Sequence, residues 1–161
     1  MSAPTMLKAQ ILDVKFGVNV RVVEPVNMYG CTIGDNCFIG PFVEIQKNCS
    51  IGSGCKVQSH SFICEMVTIG KNCFIGHGVM FINDVFHDGQ PAGGDKNKWL
   101  PTILGDNVVI GSNATILPIQ ICGNVVIGAG SVVTKNIDKP GVYAGNPVRL
   151  IRTNPVQTPA E

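Results

Sequence analysis

Large apolar residues recur at every sixth position along most of this chain. From Ile33 they fall on Ile39, Ile45, Ile51, Val57, Ile63, Ile69, Ile75 and Phe81. Two residues before each stands a smaller or β-branched side chain: Cys31, Cys37, Val43, Cys49, Cys55, Ser61, Val67, Cys73 and Val79. Glycine often follows the aliphatic position, as at Gly34, Gly52 and Gly70. The series resumes at Leu104, Ile110 and Ile116, with Val108 and Ala114 in the small slot. It then slips by one residue and continues through Ile121, Ile127 and Val133, with Val125 and Ser131 in that slot.

A period of six belongs neither to an α-helix nor to a plain alternating strand. A triangular coil produces it. Each hexad supplies one short strand and one corner, and three hexads, about 18 residues, close a turn that stacks on the next by parallel pairing. The aliphatic residue fills the middle of the prism, and Gly, Asn or Asp takes the tight corner. The fold predicted is all-β, a left-handed parallel β-helix of hexapeptide repeats with an extruded loop and a short C-terminal tail. One domain is expected over 1–161: N-terminal coils at 10–83, the loop at 84–102, C-terminal coils at 103–136 and the tail at 137–161. Val14, Val20 and Val26 keep the six-residue step less regularly, so residues 10–32 read as a cap-like first turn.

The chain's seven cysteines then need neither disulfides nor metal. Cys31, Cys37, Cys49, Cys55 and Cys73 occupy the small inward slot, where a thiol is a compact apolar filler. Cys64 and Cys122 lie outside it, without a CxxC spacing. Reduced, structural cysteines fit a reducing cytosol. The N-terminal segment lacks a charged start followed by a long apolar run, and no apolar run approaches the roughly 20 residues that cross a bilayer, so a cytoplasmic protein away from membranes is expected. Only 14% of residues are charged and the net charge is +1, which excludes an ordinary electrostatic nucleic-acid binder.

The repeat breaks after Phe81. The segment DVFHDGQPAGGDKNKWLP, residues 84–101, carries the sole tryptophan, Trp99, and a dense group of charges. A loop of that length in a small domain is commonly functional. It reads as a flap whose Trp99 and Leu100 cover a neighbouring subunit or a ligand. Phe62 and Met80, about one coil apart on one outer face, would expose an apolar strip that closed cyclic association buries.

Candidates for chemistry are few. His60 and His77 stand at corners and share one edge of the prism in adjacent coils, whereas His87 lies in the flap. Asn83 and Asp84 hold the next corner, where the chain leaves the prism; such a pair is also an ordinary turn former.

Nearly the whole chain resembles the hexapeptide-repeat acyltransferases. The ending GAGSVVTKNIDKPGVYAGNPVRLIR, residues 128–152, carries the strongest likeness, and residues 40–84, ending in FIND, resemble the sugar N-acetyltransferase branch. The resemblance implies acetyl-CoA as co-substrate, no metal, and a homotrimer with active sites between subunits. It implies transfer to the 3-amino group of a dTDP- or UDP-linked amino deoxy sugar, on the way to O-antigen and other surface glycans. Asn83 would then orient the amine and Asp84 hold the ammonium before proton loss. His60 would accept the proton, reaching toward a neighbour's Asn83, with His77, Glu44 and Trp99 lining the acceptor. Gly111, Ser112, Ala129 and Gly130 would meet the pantetheine amides, and Lys135 and Arg149 the phosphates.

Three other readings compete with this one, the first as its alternative and the other two set aside by Ile82 and by the coenzyme-like tail. An O-acetyltransferase acting on a sugar or serine hydroxyl would need a firm histidine base, because an alcohol is a far weaker acid than an ammonium. A γ-type carbonic anhydrase needs a third histidine where this chain has Ile82. A non-catalytic scaffold would not bind acetyl-CoA.

Overall fold

Each aliphatic residue of the six-residue series sits on its counterpart in the next coil. Along one face Ile33, Ile51, Ile69, Leu104 and Ile121 pair in succession. Along the second, Ile39, Val57, Ile75, Ile110 and Ile127 do the same. The third carries Met28 on Ile45, Ile45 on Ile63, Phe81 on Ile116, and Ile116 on Val133. All of these are buried. A fully buried side chain of this size contributes about 1.5–3 kcal/mol, so the stacked columns dominate the stability.

The computed structural model describes residues 3–153. Within them, strands of mostly two or three residues form three sheets of seven, six and eight strands, the walls of a left-handed β-helix of about seven turns. Pairing is parallel throughout except at the end. There Gly141–Gly145 joins the last coil through Val126 and Val142, then turns back antiparallel on Val148–Arg152. The tail beyond residue 153 lies outside the described residues.

The small slot does more than fill space. Cys37, Cys55 and Cys73 donate Sγ–H to the carbonyls of Gly52, Gly70 and Gly105 at 3.2, 3.0 and 3.3 Å. Ser61 Oγ donates to the Gly76 carbonyl at 2.8 Å. A corner carbonyl turned inward would otherwise be an unpaired buried acceptor. Sulfur and hydroxyl thus share the slot for one reason: each is small and each donates. All seven cysteines are free thiols, and all but Cys122 are buried. Burial pushes Cys31 and Cys49 up to about 11 and Cys64 to about 12.

The one-residue slip falls between Ile116 and Ile121. Leu117 and Pro118 make a short corner, and Ile119 takes the small inward position. The first coil is less covered: Val14 and Val20 are half-buried, and Ile11, Leu12 and Phe16 are exposed.

Candidate active site

Corners stack as regularly as strands, and they form three edges along the prism. One edge runs through Phe42, His60, Gly78, Asn113 and Gly130. It is joined by N–H donation from His60 to the Pro41 carbonyl, Gly78 to Ser59, Asn113 to His77, and Gly130 to Ser112. Six nominated residues therefore share this edge: His60, His77, Gly111, Ser112, Ala129 and Gly130. Both histidines are exposed. His77 Nδ1 lies 2.9 Å from Ser59 Oγ of the preceding coil. When Ser59 accepts the Nδ1 proton, Nε2 is the unprotonated nitrogen and the ring is oriented outward as a base. The His60 ring instead tilts against Phe42, centroids 4.8 Å apart at 30°.

A second edge, across the face of Phe62 and Met80, holds the remaining acceptor candidates. Asn83 Nδ2 donates to the Glu65 carbonyl at 3.3 Å, and the Leu100 N–H donates to the Asn83 carbonyl at 2.9 Å. Asp84 organises the loop: Oδ1 accepts from Phe86 N at 3.0 Å and Oδ2 from Ala92 N at 2.7 Å. Those two N–H groups, Ala92 first, hold its carboxyl below the usual range. The loop returns through a single 3₁₀ turn, Lys96–Lys98, capped by Asp95. Lys96 Nζ reaches both oxygens of the buried Glu65 at 3.1 and 2.8 Å and stands 5.4 Å from the Trp99 ring centroid.

Glu44 belongs to the same group through a relay. Its Oε1 accepts from Gln46 Nε2 at 2.9 Å, and Gln46 Oε1 accepts from Glu65 N at 3.2 Å. Glu44 through Gln46, Asn83 directly and Trp99 through Lys96 are thus tied to Glu65, whereas Asp84 is engaged with the loop backbone. Sequence reasoning missed Glu65, Gln46 and Lys96. A glutamate is seldom this buried without a partner, and the partner is contributed 31 residues away by a loop with no readable periodicity. Tyr29 sits in the same field: burial, then Glu44 and Glu65, raise its hydroxyl pKa.

The phosphate candidates lie at the C-terminal end. Lys135 and Arg149 line one cavity of about 300 Å³ with Tyr143, Val148 and Asn136. Lys135 follows the strand Val132–Val133, whereas Ala129 and Gly130 precede it. One chain therefore sets these cations a face away from the pantetheine candidates, just as it separates Asn83 from His60. Among the described residues no group of three or more His, Cys, Asp or Glu side chains is placed to hold a metal ion. No helix among them is long and apolar enough to cross a membrane.

Residues 30–65 match the family described as bacterial transferase hexapeptide (six repeats). Residues 66–80 and 101–135 match the hexapeptide repeat of succinyl-transferase. The galactoside O-acetyltransferase of Escherichia coli is 53% identical over 53 residues, 32% of this chain and 26% of that protein. The bifunctional protein GlmU of Prochlorococcus marinus is 33% identical over 150 residues, 92% of this chain and 31% of that protein. The chain thus spans less than a third of the length of these curated relatives. A solved galactoside acetyltransferase in complex with coenzyme A superposes with a TM-score of 0.65 at 35% identity, covering 77% of this chain and 64% of that one. With repeat matches extending over more than half of its residues, this chain belongs to the hexapeptide-repeat transferases.

Proposed function

We propose that this chain transfers the acetyl group of acetyl-CoA to the 3-amino group of a dTDP- or UDP-linked amino deoxy sugar. It would do so in the cytoplasm, as a homotrimer, in the making of surface glycans such as O-antigen. The observation that carries the proposal is the division of the candidate residues between two edges of one prism. His60 and His77 stand on one, and the Glu44–Gln46–Glu65–Asn83 relay on the other. Each is half a site. Side-by-side packing of identical prisms lays one copy's first edge against another's second, and closed cyclic symmetry repeats that contact three times.

The chemistry follows from the groups present. A neutral amine attacks the thioester carbonyl, a C–N bond forms, and the C–S bond breaks as coenzyme A leaves as thiolate. The amine's proton passes to a histidine Nε2 or to the departing thiolate. A sugar amine with an ordinary pKa of roughly 7.7–8 is already partly neutral, so placing it supplies much of the acceleration. Asn83, its amide fixed by the Glu65 carbonyl, orients the amine. Asp84 adds negative charge beside it while its oxygens hold the loop. Pantetheine lies along Gly111, Ser112, Ala129 and Gly130, with the phosphates at Lys135 and Arg149 of the C-terminal cavity.

One observation favours a second reading, O-acetylation of a sugar hydroxyl. The galactoside O-acetyltransferase shares 53% identity over its matched segment, and the Ser59–His77 contact orients a histidine as an alcohol's base would require. The experiment measures thiol release from acetyl-CoA with a panel of dTDP- and UDP-amino sugars and with plain galactosides. Turnover of a 3-amino sugar nucleotide, lost in His77→Ala and in Asn83→Ala and restored by mixing the two variants, supports the proposal. Turnover of galactosides alone transfers the assignment to the O-acetyl reading.

A further inference from the structure

We propose that Phe42 is the stacking platform for the pyrimidine base of the nucleotide-linked acceptor. The inference rests on the nucleotide-sugar reading above and deepens it. It begins from the corner positions, most of which hold one residue with a positive φ. At those positions the chain places Asp13, Asn19, Asn36, Asn48, Asn72, Asn107, Asn113 and Asn124, or glycine at Gly30, Gly54, Gly78 and Gly130. These residue types tolerate the left-handed region, and histidine is enriched there too. Met66, with a φ of 72° and half-buried, is one bulky exception at a corner, and Phe86, with a φ of 53°, is one in the extruded loop. Phe42, with a φ of 60°, is another at a corner. Its side chain does not gain burial in return, since Phe42 is 56% exposed.

The surroundings of Phe42 match one ring of a ligand. On one side the His60 imidazole lies 4.8 Å away and tilted by 30°, which fixes the plane of the pair. Phe42 also lines a cavity of about 250 Å³ together with Pro25, Val26, Asn27 and Glu44. That volume is smaller than the roughly 300–1,000 Å³ of sites enclosing a drug-sized ligand, and suits a single ring. Asn27 and Glu44 are register partners on adjacent strands, so their side chains project side by side from the outer face. Asn27 Oδ1 accepts weakly from Gln10 N at 3.5 Å, which leaves its NH₂ as the donor. Glu44 offers a carboxylate oxygen beyond the one that accepts from Gln46. A donor beside an acceptor complements the C=O and N–H of an imide, the edge shared by uracil and thymine. An aromatic face supplies the affinity, because every base stacks on one.

The position agrees with the chemistry next to it. Phe42 precedes His60 by one coil on the edge that continues to His77 and the coenzyme candidates. A nucleotide anchored at Phe42 would direct its sugar along that edge toward the histidines.

The test is Phe42→Asn, which installs the residue the corner prefers, compared with Phe42→Trp. Acceptor KM and inhibition by UDP, dTDP and GDP are measured, with sedimentation to follow assembly. The expected result for Phe42→Asn is a rise in acceptor KM and in the UDP or dTDP inhibition constant of about five- to a hundred-fold. The KM for acetyl-CoA and the sedimentation state should hold, and Phe42→Trp should stay near wild type. An unchanged acceptor KM and inhibition constant would overturn the Phe42 assignment while leaving acetyl transfer to the nucleotide sugar intact. Dissociation of the Phe42→Asn protein would overturn it in favour of a subunit contact. Inhibition by GDP as strong as by UDP or dTDP would overturn the pyrimidine assignment. Wild-type protein that neither acetylates a nucleotide sugar nor responds to any nucleoside diphosphate removes the parent reading and this inference together.

Discussion

Alanine at Gly111 tests the close stacking of the coils and the coenzyme edge in one variant. Gly111 has an ordinary φ, so alanine meets no backbone penalty of its own. The obstacle is distance: a Cβ there would lie 2.4 Å from Ala129 N and 2.8 Å from both Ala129 Cα and Gly128 C. To reach ordinary contact the two coils must part by about 1 Å, where overpacking generally costs about 1–3 kcal/mol. All three obstructing atoms are backbone and cannot rotate away, which puts the cost near the upper end, about 3 kcal/mol. For a chain of this size each kcal/mol moves Tm by about 2–4 °C, so a fall of about 6–12 °C is expected. The displacement strains the bonds from Gly111 N to the Ile127 carbonyl and from Gly130 N to the Ser112 carbonyl, both 2.8 Å. Thermal unfolding by circular dichroism at one fixed protein concentration measures the effect, with Ser112→Ala as the comparison. The KM for acetyl-CoA should rise in Gly111→Ala as the edge moves. A Tm within about 2 °C of wild type would show room between the coils and refute the reasoning.

Asp84 gives a pH prediction. Its folded pKa is depressed by the Ala92 and Phe86 N–H groups, so the loop gains stability above the unfolded carboxylate value and loses it as pH falls through the lowered one. The protection of the Phe86 and Ala92 amides, as exchange relative to the intrinsic rate at each pH, should fall on acidification across that window, and their exchange should accelerate at neutral pH in Asp84→Asn; unaltered exchange in the variant would mean the carboxylate does not hold the loop. For the cysteines, a thiol reagent at pH 8 should modify Cys122 first in the native protein and the six buried thiols only on unfolding, because burial keeps groups such as Cys64 protonated. Rapid native labelling of several thiols would contradict the packing. Cys55→Ser should keep the donation to the Gly70 carbonyl, whereas Cys55→Ala leaves that acceptor unpaired at about 1–3 kcal/mol, read by chemical denaturation.

Most of the prism was legible in the sequence because a stacked repeat states its core position again in every coil. Ile33 through Phe81 named the buried column, and the same rule applied after the slip at Ile121. The part of the cysteine reading that fell short was chemical. The slot asks for a donor as well as a small volume, a need visible only once the Gly70 and Gly105 carbonyls are seen to turn inward. Edge membership was legible too: a step of about 18 residues from His77 reaches Ser59, and the two side chains meet. The Glu65 cluster was not legible. Its partner Lys96 arrives through a loop without period, so neither the burial of Glu65 nor the anchoring of Asn83 could be read from spacing. The resemblance of FIND to the sugar N-acetyltransferases implied an amine-binding role for Asp84, while the residue pair by itself read as a turn former. The structure gives both its oxygens a first task in the loop, which only the returning Ala92 reveals.

The measurement that bears most directly on the central claim is the identity of the bond formed. Protein, acetyl-CoA and a dTDP- or UDP-linked 3-amino sugar are incubated, free thiol is followed, and the product is analysed by mass spectrometry before and after mild hydroxylamine. Acetyl transfer to nitrogen predicts thiol release matched by one added acetyl group per sugar that survives hydroxylamine, as an amide does. An acetyl group removed by hydroxylamine, or thiol release with no acetylated sugar nucleotide, would contradict it.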